Sequence, residues 1–411
     1  MKKRNVIWIF LVPIIITMLI GGIGGFLYPP QASAKDPVKV GCVIPLTGPF
    51  ARIASAQKDG IKLAAKQINA RGGVLGRPIK LFIRDSELNA TIATRRLQNL
   101  VTKEKIDWHV GTLSGGITFA ANQVLTKAKI PYMSSCQTVE KFHEKGVTGP
   151  YTYTVASVTY TVGFAAAQYI ITKMGAKTLY ILYADYAWGH GNRDGVIAGA
   201  KKFGGKVIGM DAAPLGGSFD YSTYLTKARA LKPDGFVICV PGGMTLAAIK
   251  QIHELGLNKE MKVFSSWTAL PIGMGCVKEF QGMYGGIDFL WTRDDPITKK
   301  FVKAAWDEYG YPPDSYTMTT YAGLNEFAWA ANKVKSLDPA KMAKVLSGHE
   351  FDYGKGEAYW RPCDRRAIQN WFIVRGKNLI DVKEKYDIFE HIDTVGMAPE
   401  YNLSCKELGY D

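Results

Sequence analysis

From Val38 onward the chain alternates short apolar, strand-like runs with amphipathic stretches at helical spacing. That alternation confines it to sheets with helices packed on their faces. The first unit shows the pattern. Val38, Val40, Cys42 and Ile44 alternate as a strand, the PLTGP run from Pro45 to Pro49 makes a turn, and Ile61, Ala64, Ala65 and Ile68 then recur at helical spacing until Gly72 and Gly73 stop the helix. Further strands are predicted at 79–83, 106–110 and 130–133, with helices at 91–104 and 117–128 between them. After Pro150 a second series begins, with a helix near 161–174, a strand at 178–183, a helix at 192–203 and strands at 206–210, 235–240 and 262–265. Helices at 298–309 and 316–335 and a strand at 370–375 follow. No Pro/Ser-rich linker separates the two series and no short-period repeat underlies them. The expected architecture is therefore α/β, with two similar lobes joined by short crossings.

The first 34 residues read differently. Lys2, Lys3 and Arg4 precede an apolar run from Val6 to Leu27, broken by Pro13 and glycines, and Ala32-Ser33-Ala34 supplies small residues before Lys35. This is the pattern of an export signal cleaved after Ala34. The run is also long enough to cross a bilayer, so an uncleaved anchor is the competing reading. No Cys follows the run within the first forty positions, which argues against a lipid-anchored end and for the bacterial periplasm or cell exterior. The 377 residues after Ala34 exceed one ordinary core and imply about two domains.

The formal charge is +15, or +12 without the three basic residues of the leader. An excess of that size can mark a nucleic-acid or anionic surface. Lys and Arg are spread along the chain, however, with Lys201-Lys202 and Arg365-Arg366 among the few doublets, so a solvated basic surface is expected and no nucleic-acid partner. The chain has six Cys, none in a CxxC pair. Cys42 and Cys239 sit in apolar strand-like runs and read as buried thiols. Cys363 and Cys405 lie in polar, turn-rich sequence, where a bridge between them would pin the C-terminal tail; spacing alone leaves the connectivity open.

The segment VGCVIPLTGPFARIASAQKDGIKLAAKQINARGGVLGRPIKLFIRDSELNA, from Val40, resembles the start of the Leu/Ile/Val-binding family of periplasmic solute-binding proteins. The marks are PLTGP at 45–49, the helix ending in INARGGVLGRPI, and Asp85 closing the next strand. Together they are specific where each alone is weak. VGTLSGG at 110–116, IPYMSS at 130–135, ILYADYAWGHG at 181–191, KKFGGKVIG at 201–209, LKPDGFVICVPGG at 231–243 and WRPCDRRA at 360–367 extend the likeness over nearly the whole chain after the leader. The resemblance implies a type I fold: two Rossmann-like lobes joined by three crossing strands, with the ligand in the cleft. The chain would cross near 156, 286 and 362. One lobe would comprise 35–156 and 287–361, the other 157–286 and 362–411. Such a hinge confines dihedral change to a few residues while each lobe stays rigid, and ligand contacts shared by both lobes favour closure.

Site residues follow from the same resemblance, position by position. A loop after a first-lobe strand meets the ligand carboxylate with hydroxyls and N–H groups at a helix N-terminus; here it holds Ser114 and Gly115, although Ser114 is equally a plain N-cap. Gln137 and Thr138 fall on a second carboxylate-holding loop. Trp188 occupies an aromatic position of the second lobe, where it either covers the ligand or packs at the rim. Gly242, in the run Pro241 to Met244, either lets backbone approach the ligand or simply makes a turn. Amino-acid binders of the family carry a carboxylate after the strand 262–265, to pair with the ligand ammonium. FSSWTALPIG at 264–273 has no Asp or Glu, and Thr268 stands in that place. A buried ammonium without a charged partner is costly. With Trp188, Trp267 and either Tyr160 or Tyr321, the expectation is an aromatic-lined pocket for a carboxylate or amide with an apolar body; a branched-chain amino acid is the alternative ligand.

Other functions find less support. Gly189-His190-Gly191-Asn192-Arg193-Asp194-Gly195 has one residue too many for GxGxxG, and Gly111 to Gly115 misses the GxSxG elbow by one position. The six His residues show neither HExxH nor clustering with Cys. No enzyme, cofactor or metal is expected. The resemblance implies permease subunits of an ABC transporter as partners of a monomeric protein. A ligand sensor acting through another partner is the second reading.

Overall fold

The computed structural model describes residues 36–216 and 219–411, so the leader and its cleavage after Ala34 lie outside the described residues. In chain order come β1 (Val38–Ile44), α1 (Ala51–Ala70), β2 (Ile79–Asp85), α2 (Ala90–Asn99), β3 (Trp108–Gly111), α3 (Gly115–Lys127), β4 (Tyr132–Ser134), α4 (Glu140–His143) and β5 (Thr152–Thr154). Next are α5 (Thr159–Thr172), β6 (Thr178–Ala184), α6 (Ala187–Lys202), β7 (Lys206–Ala213), α7 (Ser222–Leu231), β8 (Gly235–Cys239), α8 (Gly242–Glu254), α9 (Leu257–Glu260), β9 (Lys262–Ser265), α10 (Leu270–Gly273) and β10 (Tyr284–Ile287). The remainder adds α11 (Pro296–Tyr309), α12 (Ser315–Val334), α13 (Pro339–Leu346), β11 (Glu350–Phe351), β12 (Ala358–Trp360), β13 (Ala367–Gln369), β14 (Trp371–Gly376) and β15 (Phe389–Val395).

Two sheets organise these elements. The first is parallel throughout, in the order β2-β1-β3-β4-β5. The second runs β15-β14-β10-β9-β8-β6-β7, parallel from β10 to β7, with β14 and β15 antiparallel at one edge. A small antiparallel sheet, β11-β12-β13, stands apart. Alternation along the strands sends successive side chains to opposite faces. In the second sheet Ile181, Val237 and Ile373 pack under α5 and α6, while their neighbours Leu182, Ile238 and Phe372 pack under α7 and α8. In the first sheet α2 and α3 cover one face. The other is covered by α1 and by α11, α12 and α13, which return from far along the sequence. Both sheets are thus buried on both faces, as parallel sheets require.

The chain therefore passes between the lobes three times: after β5, after β10, and at Asn370 between β13 and β14. The passages are tied to one another. Asp288, just past β10, accepts from the Ser157 N–H at 3.3 Å and from its hydroxyl. Lys355 lies 3.7 Å from Asp288 and donates to Gln369 Oε1 at 2.7 Å, and Gln369 donates to the Val155 carbonyl at 2.8 Å. Close packing next to the second passage needs Gly286, where a Cβ would fall 1.5 Å from the Trp371 ring.

Helix starts divide into two kinds. Asn89, Asp295, Asp314 and Asp338 cap α2, α11, α12 and α13 with side-chain oxygens, each satisfying otherwise orphaned N–H groups. By contrast, α3, α6 and α8 begin without any side-chain cap. The run from Pro241 to Met244, read as a possible turn, is the first turn of α8. Gly242 and Gly243 are weak helix formers, but Met244, Ala248, Ile249 and Ile252 supply the buried face that holds the helix. Sequence periodicity also missed β5, β10 to β13, β15, α4, α7, α9, α10 and α13.

Cys363 and Cys405 form a disulfide with their Cα atoms 6.1 Å apart. The bridge fastens the tail beside the third passage, where the Leu403 carbonyl also accepts from Arg361 at 2.7 Å. Cys42, Cys136, Cys239 and Cys276 are free and buried. Among the described residues no helix is long and apolar enough to cross a membrane.

Candidate functional site

Parallel sheets present their ligands at the C-terminal ends of the strands, and a cavity of about 290 Å³ lies there, between the two lobes. The first lobe contributes Phe50, Ile53 and Leu88, the turn Leu113 to Gly116 after β3, Cys136 and Gln137 after β4, and Tyr316 from α12. The second contributes Tyr186 and Trp188 at α6, Leu215 after β7, Pro241 at α8 and Trp267 after β9. No Asp, Glu, Lys, Arg or His is among these lining residues. A larger hollow of about 730 Å³ sits where β8, β9 and β10 begin, walled by Arg229, Lys232, Asp234, Lys259, Glu260 and Lys262. It lies at the opposite end of the sheet from the site such a fold provides.

The turn into α3 is held in a constrained form. Gly111, Thr112 and Ser114 have φ of 142°, 84° and 78°, and a β-branched residue at positive φ persists only where its surroundings enforce it. Thr112 Oγ1 lies 2.6 Å from the Tyr132 hydroxyl and 3.1 Å from Thr118 Oγ1. Gln57, on α1, donates to the Thr112 carbonyl at 3.0 Å and to Ser135 Oγ at 2.8 Å. The result turns the start of α3 toward the cavity. Ser114 occupies the N-cap position, but its hydroxyl makes no cap bond. Its backbone carbonyl accepts from Thr118 N at 3.0 Å. The hydroxyl and the first N–H groups of α3 are therefore available to a ligand.

Aromatic rings close the other sides. Trp188, 8% exposed, lies nearly parallel to Tyr186, with centroids 6.4 Å apart, and donates its indole N–H to Gln137 Oε1 at 2.8 Å. Trp267, 2% exposed, donates to the Tyr316 hydroxyl at 3.1 Å. Each bond joins one lobe to the other. Burial raises the Tyr186 and Tyr316 hydroxyls above the usual phenol range and pushes the Cys136 thiol up to about 11, so these groups stay neutral. The cavity is thus uncharged and aromatic, and three helix N-termini, those of α3, α6 and α8, open onto it.

The structure brings Ser114, Gly115, Gln137, Trp188 and Trp267 together. Gly242 stands beside them, its Cβ position 3.7 Å from Phe50. Three expected residues face elsewhere. Thr138 turns away to His143 Nε2 at 2.7 Å. Thr268 is buried against β10, its N–H donating to the Gly286 carbonyl at 2.8 Å. Tyr160 stacks on Phe164 with centroids 5.9 Å apart. Tyr321, the other aromatic considered, bonds to Gln67 in the first-lobe core. Tyr186 and Tyr316 went unnoticed in the sequence. Tyr186 is two residues from Trp188 and could have been included with it, whereas Tyr316 reaches the cavity only because α12 folds back on α1.

A family model described as periplasmic binding protein matches residues 37–380. The Leu/Ile/Val-binding protein homolog 7 of Brucella abortus is 25% identical over 345 residues, covering 79% of this chain and 84% of that one. Among solved structures, an amino acid ABC transporter substrate-binding protein from Pseudomonas fluorescens aligns with a TM-score of 0.83 at 24% identity, covering 90% of this chain and 98% of that one. An ABC transporter solute-binding protein from Rhodopseudomonas palustris, in complex with 3,4-dihydroxybenzoic acid, aligns with a TM-score of 0.78 at 21% identity, covering 88% and 98%. Fold, core and sequence agree: the chain belongs to the periplasmic binding protein family, as a relative of the Leu/Ile/Val-binding proteins with the type I fold, a family of solute binders and not of enzymes.

Proposed function

We propose that this chain is the exported substrate-binding component of an ABC transporter of the branched-chain amino acid type, and that it binds a small carboxylate- or amide-bearing solute with an aromatic or apolar body in the cleft between its lobes. The observation that carries the reading is the pairing of an uncharged, aromatic-walled cavity with three helix N-termini that have no side-chain cap. Uncapped N-termini attract anions and carbonyl oxygens through free N–H groups and the helix dipole. The same lining offers an α-ammonium no carboxylate, which disfavours an ordinary amino acid. The fold accommodates an aromatic acid in the Rhodopseudomonas palustris complex. We assign 35–156 and 287–369 to the first lobe and 157–286 and 370–411 to the second, which moves the last boundary from the expected 362. The third passage is drawn at Asn370, since Ala367 packs in the first-lobe core. Ligand held by both lobes would favour the closed form, which a permease can distinguish from the open one.

A thermal-shift screen tests the ligand class, because a solute that binds only the folded state raises the midpoint by mass action. Benzoate, hydroxylated benzoates and short amides should raise it in proportion to the logarithm of their concentration. A strong shift with leucine or valine and none with any aromatic acid would overturn the reading.

A further inference from the structure

The side-chain amide of Gln137 has two ends with different fates. Its Oε1 accepts the Trp188 indole N–H at 2.8 Å, while its Nε2 is buried with no partner among the described residues. Chemistry dictates this orientation: an indole nitrogen only donates, so the carbonyl end must face it and the NH₂ must face away. Gln137 lines the cavity, and among the described lining residues its Nε2 is the one buried side-chain donor left unbonded. The other indole is already spent, since Trp267 donates to Tyr316. A buried donor without an acceptor costs free energy until something supplies one. Trp188 and Gln137 also stand on opposite walls, one in the first turn of α6 and the other after β4. Their bond can exist only when the walls are together.

We propose that Gln137 is a specificity-determining residue that admits hydrogen-bond acceptors and refuses donors, and that Trp188 is a positioning residue that sets this preference by holding the amide carbonyl from the opposite lobe. The inference rests on the ligand reading above. Without the indole the amide can rotate and offer either end, so a carboxylate and an ammonium are both served. With the indole in place, an ammonium brought to Gln137 meets another donor. Closure and selection are thereby one event, because the contact that shuts the cleft also turns the selecting group.

Calorimetric titrations with benzoate and benzylamine test this on the protein lacking residues 1–34, since Lys35–Asp411 packs as a unit of its own. Trp188→Phe keeps a ring over the ligand but removes the N–H. It should weaken benzoate roughly tenfold and shrink the benzoate-to-benzylamine affinity ratio by at least as much. Gln137→Glu keeps an acceptor for the indole and replaces the free donor with an acceptor. It should weaken benzoate by roughly a hundredfold and strengthen benzylamine. Unliganded thermal midpoints near that of the unmodified protein exclude misfolding as the cause. If Trp188→Phe weakens both ligands by the same factor, Trp188 is only a cover and this inference falls while the ligand reading stands. Absence of benzoate binding in the unmodified protein would sink both.

Discussion

Ser114→Asp should abolish binding of an aromatic acid while leaving the protein as stable as before, or more so. Ser114 stands at the N-cap of α3 with its hydroxyl unused and the first N–H groups of the helix uncapped. At φ 78° the residue lies outside the extended region of an ordinary N-cap, so the stabilisation expected is that of the dipole: a carboxylate near a helix N-terminus contributes about 0.3–1 kcal/mol. The same carboxylate would occupy the donors that a ligand anion needs and would place like charge beside it. Two unit charges near 4 Å at an effective dielectric of about 20 repel by about 4 kcal/mol. A hundredfold loss needs only about 2.7 kcal/mol, so the expected weakening of benzoate is more than a hundredfold. Benzamide, which carries no charge, should suffer far less. Titration of both ligands, with a thermal melt of each protein, checks the pair of effects. Benzoate binding as tight in Ser114→Asp as in the unmodified protein would remove the α3 terminus from the site.

The opposite signs of the two effects express how the site is built. Asn or Asp closes the N-termini of α2, α11, α12 and α13, at Asn89, Asp295, Asp314 and Asp338. That closure is missing at α3, α6 and α8, whose N-termini open onto the cavity, as it is at α1, α5 and α7. The strained turn of Thr112 and Ser114, held by Gln57 and Tyr132, belongs to the same arrangement. Positive φ at a β-branched residue is tolerated because the buried hydroxyl and amide network fixes the turn, and the turn aims the helix.

Much of this was legible in the sequence, for reasons of period and length. The runs that became β1, β2, β6 and β8, and the helices α1, α11 and α12, carry enough turns or alternations for periodicity to declare them. The three-residue strands β5, β12 and β13 carry too few. At the site, positions were read more reliably than orientations. Gln137 and Thr138 are neighbours, as are Trp267 and Thr268, and the extended segments after β4 and β9 send each pair to opposite sides. A likeness between sequences places both members of a pair in the right loop and leaves the choice of side to the fold. Thr138 is drawn to His143 and Thr268 to β10, so only Gln137 and Trp267 reach the cavity. Tyr316 lay beyond any local pattern.

Lys355→Met should cost about 3–5 kcal/mol of stability, because it removes the partner of a carboxylate that cannot reach water. Asp288 is 1% exposed, and burial shifts the Lys355 ammonium below its ordinary pKa, although Asp288 opposes that shift. Ser157 would still bond to Asp288, which limits the loss, and Arg293 is the next cation close enough to influence Lys355. The double replacement Asp288→Asn with Lys355→Met should recover most of the stability, since a neutral amide can keep the Ser157 contact with no charge left to pair. A urea denaturation cycle over the four proteins isolates the coupling. A single Lys355→Met variant as stable as the unmodified protein would mean that the pair contributes nothing. A large coupling would identify the point where the fold resists: Asp288, Ser157, Lys355 and Gln369 draw all three passages between the lobes into one bonded cluster. The lobes can then rotate about that cluster while the passages stay together, and this is the mechanical condition for a cleft that opens and closes without unfolding its hinge.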